Sequence, residues 1–179
     1  MGSSSNGFSD LLNQVPRLQV RNQVSELSGG LTNINLKVQT PKGDFVARIS
    51  SNKSELLSID RKSEYENSKI AAGVGVGAPV YDFLPEFGLL VIGFLEGKTF
   101  DSNDVANNLP RIAQSCRLLH SAKPFVRDFD MFVIQQNYLK IVTESGFKLP
   151  NKYLDYAEHI NKMKKALLAL LSIAIAFTA

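Results

Sequence analysis

The stretch Ile34–Ser50, INLKVQTPKGDFVARIS, decides the fold. Its first residues alternate, with Ile34, Leu36 and Val38 apolar and Asn35, Lys37 and Gln39 polar, the two-residue period of a strand with one buried face. Pro41-Lys42-Gly43-Asp44 is turn chemistry, because proline presets its own φ and glycine is free to take a positive one. After the turn, Phe45, Ala47 and Ile49 fall on one face and Val46, Arg48 and Ser50 on the other. The pattern predicts two antiparallel strands, with a cation on the face turned away from the apolar set.

Outward from this hairpin, Leu18 to Ser50 reads as a β-meander broken by glycine. Within it, Leu27-Ser28-Gly29-Gly30-Leu31-Thr32-Asn33 is a small-residue turn where backbone amides can approach an anion with no Cβ in the way. Taken alone, such a Gly-Gly turn is an ordinary hairpin. From Ser58 to Ala72 the period changes to that of a helix of about four turns, carrying Ile59, Tyr65, Ile70 and Ala71 and closed by Gly73, Gly75 and Gly77. Ala78–Phe83 and Gly88–Leu95 are two strands around Leu84-Pro85-Glu86-Phe87, the second apolar enough to lie inside its sheet. Beyond Gly97, Ser102–Ala122, Asp130–Ser145 and Asn151 to Leu171 have helical spacing, with Pro110 and Pro150 near helix starts. This order predicts an α+β chain: a flexible leader over residues 1–17, a β-rich lobe over 18–97 with its hinge at Gly93–Gly97, and a helical part over 98–179.

Composition narrows the class. A chain of 179 residues with 44% hydrophobic residues can fill a core. Twenty basic against seventeen acidic residues leave +3, scattered, which argues against a nucleic-acid partner. The single cysteine, Cys116, excludes an internal disulfide and fits a reducing, cytoplasmic compartment; its helical setting predicts a buried packing residue. Met1–Asp10 lacks the basic flank and apolar stretch of a secretory signal, and Asn6 stands where a myristoylation motif wants Ser or Thr. Ala166–Ala179 is apolar over 14 residues, short of the roughly 18 to 20 that span a bilayer, so it reads as a core segment and no membrane partner is expected.

One strand beyond the glycine turn, Arg48 is placed as kinases place the cation that meets nucleotide phosphates. A long side chain there needs a fixing partner, and the following helix offers Glu64 and Glu66, which point about 200° apart, so at most one can face Arg48. The segments Ser28–Asn33, Phe45–Ile49 and Ile59–Asn67 together resemble the small lobe of choline/ethanolamine kinases, particularly the bacterial choline-kinase type. Gly77–Tyr81, Leu89–Thr99, Leu118-Leu119-His120 and Phe129–Phe132 follow in family order, so the resemblance covers about residues 24–168.

The resemblance implies a protein-kinase-like N-lobe, an antiparallel sheet with one helix, followed by the first helices of a C-lobe. It implies that Ser28, Gly29, Gly30, Leu31, Thr32 and Asn33 cover the phosphates of ATP, that Arg48 replaces the usual kinase lysine, and that Glu64 is its helix partner. Gly93, through its carbonyl, and Leu95, through its amide, would pair with adenine. His120, at the end of an apolar helix and with no paired nucleophile, reads as a packing or capping residue.

In this family phosphoryl transfer needs an aspartate that positions the acceptor hydroxyl and a second that holds magnesium. No His-x-Asp loop occurs in the sequence, and five residues after Asp128 and Asp130 stand Val133 and Gln135, not a metal-binding asparagine. No catalytic or metal-binding residue is therefore assigned. The expectation is an ATP-dependent phosphotransferase acting on choline or a similar small alcohol, truncated before its catalytic loop, with Ser172–Phe177 as the strand leading to that loop and magnesium ligands in the missing lobe. An open apolar face would then favour self-association. Two other readings remain: an aminoglycoside, thiamine or methylthioribose kinase of the same superfamily, and a non-catalytic nucleotide-binding or interaction module.

Overall fold

A computed structural model describes residues 5–28, 33–50, 60–127 and 130–176. The Ile34–Ser50 hairpin forms as two strands, β2 (Asn33–Thr40) and β3 (Gly43–Ser50), in the register Ile34↔Ile49, Leu36↔Ala47, Val38↔Phe45. With β1 (Gln23–Leu27), β4 (Val80–Leu84) and β5 (Leu89–Gly93) they make an antiparallel sheet of order β1-β2-β3-β5-β4. The apolar run of β5 explains its interior place, since a strand flanked on both sides is covered along its length.

Alternation gives the sheet two unlike faces. Leu36, Val38, Phe45, Ala47, Ile49, Leu89 and Val91 build the core on one of them. What covers that core corrects the flexible leader expected over residues 1–17. Helices α1 (Ser9–Asn13) and α2 (Pro16–Gln19) bring Leu12, Val15 and Leu18 into the same cluster, all three fully buried. The physical reason is apolar burial: Leu12 on α1, Leu18 on α2 and Val15 in the extended link between them all lie against the apolar face of the sheet. Arg17 locks the arrangement: its guanidinium pairs with Asp82 and lies over the rings of Tyr81 and Phe45, 4.5 and 5.6 Å from their centroids.

The other face carries α3 (Arg61–Gly73). Asp60 caps it, accepting from the amides of Lys62 and Ser63, and Tyr65 stacks on Phe83 at 4.5 Å. Gly75, with φ of 75°, turns the chain away at the other end.

Two helices then follow, α4 (Ser102–Asn107) and α5 (Leu109–His120), where the sequence pattern predicted one. Asn108 and Pro110 break the run, since proline supplies no amide to the preceding turn. The chain divides into two compact units, Met1–Asp128 and Phe129–Ala179. The segment after α5 is held in the first: the Val126 amide donates to Asn67 Oδ1 and Arg127 pairs with Asp60, tying it to α3.

The second unit holds α6 (Met131–Glu144), capped by Asp130, and α7 (Ala157–Ala176). Gln135 donates to the Tyr153 hydroxyl at 2.8 Å, and the Lys164 ammonium lies 5.8 Å from the Phe132 ring centroid. The strand expected from Ser172 is helical to Ala176, because the run of Leu and Ala before it continues a helix already under way. Leu167 and Leu168, in the apolar run expected as core, are exposed. Among the described residues no helix is long and apolar enough to cross a membrane.

Candidate functional site

The site grows from the parity of β3. Because Ala47 and Ile49 face the core, Arg48 between them must point to the α3 side. Helix α3 starts from its Asp60 cap, which places Glu64 in its first turn, above the sheet. Arg48 Nη2 and Glu64 Oε1 stand 2.8 Å apart, and the second carboxylate oxygen, Oε2, takes Arg61 Nη1 at 2.7 Å. Glu66 turns elsewhere and pairs with Lys69 at 3.5 Å. One carboxylate thus holds two guanidinium groups, each partly shielded, with side-chain exposures of 31% for Arg48 and 18% for Arg61.

Asn33, Ser50 and Gly88 join these three residues around a cavity of about 10 Å³, the size of one water molecule. Asn33 stands opposite Ser50 at the end of the sheet where the β1–β2 hairpin turns back. Three buried polar atoms of these lining residues have no hydrogen-bond partner, Asn33 Oδ1, Arg61 Nε and Arg61 Nη2, and neither has Asn35 Oδ1, which stands opposite Arg48 on β2.

At the other end of β3, Phe45 pairs with Gly93. The Gly93 amide donates to the Pro79 carbonyl at 2.8 Å and the Phe94 amide to the Asp44 carbonyl at 3.0 Å. The Leu95 amide has no intramolecular partner among the described residues, and its side chain is exposed. Arg48 lies three residues along the strand from Phe45, about 10 Å at the rise of an extended chain. Lys37 bridges this end, 2.9 Å from Asp44 Oδ2 and 3.8 Å from the Phe94 ring centroid. Its hydrogen bond is the main cause that holds the Asp44 carboxyl below the usual carboxylate value.

Of the ten residues singled out from the sequence, the structure brings Arg48, Glu64 and Asn33 together around one cavity, while Gly93 ends β5 opposite Phe45 and Leu95 follows it two residues on. Ser28 is an exposed turn residue after β1, while Gly29, Gly30, Leu31 and Thr32 lie outside the described residues. Asp130, weighed as a catalytic residue, accepts from the amides of Phe132 and Val133 as the cap of α6; Asp128 is outside the described residues. Cys116, expected buried, is exposed, and His120, expected to pack or to cap, stands exposed in the last turn of α5. Cys116 corrects the assumption that the apolar look of α5 places its small residues inward. Arg61 was not anticipated. Its signal was the three-residue spacing to Glu64, hidden in a charged run that reads as a solvated helix face.

The model of the choline/ethanolamine kinase family matches residues 24–178 of this chain. The chain belongs to the choline/ethanolamine kinase family. Among solved structures of this kind it resembles a choline/ethanolamine kinase family protein from Mesorhizobium loti. The two are 26% identical with a TM-score of 0.72, over 92% of this chain and 54% of that one. Choline kinase LicA from Streptococcus pneumoniae superposes with a TM-score of 0.75 at 23% identity, over 93% and 58% of the two chains. LicA in complex with AMP gives 0.65 at 25% identity, over 92% and 56%. The chain therefore spans a little over half the length of these solved relatives. No curated protein matches it.

Proposed function

We propose that this chain forms the ATP-binding part of a choline/ethanolamine kinase-type phosphotransferase, whose acceptor is a small alcohol such as choline. The observation that carries the reading is the Arg48–Glu64 pair, set about 10 Å along β3 from the Gly93 hinge and beside the root of the Ser28–Asn33 hairpin. That distance suits a nucleotide whose base meets the hinge and whose phosphates meet the arginine.

In this reading the Gly93 carbonyl and the Leu95 amide take the adenine edge, and the amides of Ser28–Asn33 lie over the phosphates. Arg48 offers phosphate oxygens a planar fork that a lysine lacks, and Glu64 keeps that fork from swinging away. The pairing of a strand cation with a helix carboxylate contributes position and charge, which is nearly all that a protein supplies to phosphoryl transfer.

Among the described residues no three His, Cys, Asp or Glu side chains gather, and magnesium ligands are expected outside the residues brought together here. No metal-dependent step is assigned to them. The aspartate that positions the acceptor is likewise outside the residues brought together here, so the 179-residue chain by itself is proposed to bind nucleotide without turning it over. Its one exposed thiol fits the cytoplasm, and the exposed Met163 and Leu167 on α7 fit self-association of the isolated chain.

Titration of ATP against the wild type and Arg48→Ala tests the reading. Binding that weakens about 10-fold or more, as loss of a charged hydrogen bond requires, supports it. Binding unchanged by the substitution would mean that Arg48 does not meet phosphate. In parallel, phosphocholine formation by the isolated chain should equal that of buffer.

A further inference from the structure

The charge balance of the cavity leaves something unexplained. Glu64 supplies one negative charge, and Arg48 and Arg61 supply two positive ones, so the three side chains carry a surplus of +1 in a partly desolvated place. Arg61 also uses only Nη1. Its Nε and Nη2, the two donors on one edge of the guanidinium that engage two oxygens side by side, are buried and unpaired. A buried donor without a partner costs about 1–3 kcal/mol, and two adjacent ones on a charged group are too costly to leave empty without compensation.

The space beside them is sized for one oxygen atom. Asn33, the first residue of β2 and the root of the hairpin expected over the phosphates, lines the same space. Polar groups from three separate elements, β2, β3 and α3, therefore converge on a small cationic point, where the Arg61 edge and the Asn33 Oδ1 acceptor both remain unpaired.

Resting on the nucleotide-binding reading above, we propose that Arg61 is a second phosphate-binding residue. Its Nε–Nη2 edge takes an oxygen of the polyphosphate chain, while Nη1 stays on Glu64. Arg48 and Arg61 then act as two cations held apart by a shared carboxylate. With phosphate bound the surplus charge is neutralised and the empty edge is filled. A nucleoside monophosphate, whose single phosphate lies nearest the sugar, reaches Arg61 less well than ADP, ATP or inorganic tripolyphosphate.

The test measures AMP, ATP and tripolyphosphate binding to the full 179-residue chain and to Arg61→Met, Arg61→Lys and Arg48→Ala. Thermal melting checks that each variant folds. Arg61→Met should weaken ATP and tripolyphosphate about 10-fold and leave AMP within about twofold, the scale of one charge-assisted hydrogen bond. Arg61→Lys, which keeps the charge but not the fork, should recover only part of the loss. Equal loss for AMP and ATP would assign Arg61 a structural role and overturn the proposal. Unchanged ATP binding in Arg61→Met, with Arg48→Ala still impaired, would overturn it too: the cavity then holds only water and the nucleotide reading survives. Tripolyphosphate binding that depends on Arg61, without any nucleotide binding, would keep the anion site and refute the nucleotide reading. A wild-type chain that binds none of the three refutes both.

Discussion

Replacing Leu12 with alanine tests how the sheet is covered. Leu12 is fully buried, packed with Val15 and Leu18 against Leu36, Val38, Phe45 and Leu89. The three leucine and valine side chains together contribute roughly 5–9 kcal/mol of gross burial, an upper bound because the unfolded chain is itself partly collapsed. Removing the Leu12 isobutyl group loses its transfer term and leaves a cavity that the surrounding strands cannot close, about 3 kcal/mol in all. A domain whose total stability is roughly 5–15 kcal/mol gives up a large part of it. At about 3 °C per kcal/mol, Tm should fall by about 10 °C. Differential scanning calorimetry would read this, and a urea titration should show a lower midpoint with an unchanged slope. Gln14→Ala, at an exposed position in the same segment, should stay within about 0.5 kcal/mol of wild type. If Leu12→Ala melts with Gln14→Ala, the segment is not docked in solution and the account of the core is wrong.

Two further outcomes follow from local chemistry. The Asp60 carboxyl is held below its ordinary value of 3.8, first by the Ser63 hydroxyl and then by the Ser63 and Lys62 amides, with Arg127 adding its charge. A lowered folded-state value means its stabilisation is present above the unfolded value and lost as pH falls through the folded one. The urea midpoint should therefore drop below pH 4, and Asp60→Asn, which keeps the cap but cannot titrate, should drop less; an equal drop would exclude Asp60 as a source. Gly88 has φ of 59°, and a Cβ there would stand 3.1 Å from Ser50 Cβ. Gly88→Ala should cost about 1–2 kcal/mol by the same titration, and no loss would contradict the left-handed turn.

Much of the sheet was legible because its information is local. The alternation of Ile34, Leu36 and Val38 with polar neighbours, and of Phe45, Ala47 and Ile49 with Arg48, states both strand and facing directly. The choice of Glu64 over Glu66 was also readable in part, since helix geometry allows only one of them to reach Arg48. What was not legible depends on long-range contact. Leu12, Val15 and Leu18 sit in a polar segment too short for a strong helical period, and only the exposed underside of the sheet makes them core. Arg61 reads as one charge among several until α3 is laid on β3 and its neighbour Glu64 is seen to be shared. Ser172–Phe177 has a pattern compatible with strand or helix, and the helix already running from Ala157 decides for the latter as far as Ala176.

In β3 the core and the site are written in alternate letters of one strand: odd positions from Phe45 to Ile49 fill the interior, and Arg48 lies between them. A substitution can change either set and leave the other alone. The loss or gain of a single codon within the strand cannot, because a shift of one residue exchanges the two faces over its whole remaining length. Arg48 would then be driven into the apolar layer and an aliphatic side chain would meet Glu64. In a lineage that keeps this hairpin, point changes can therefore tune phosphate affinity and interior packing separately, while length changes are confined to turns such as Pro41-Lys42, where they leave the parity of the strand intact.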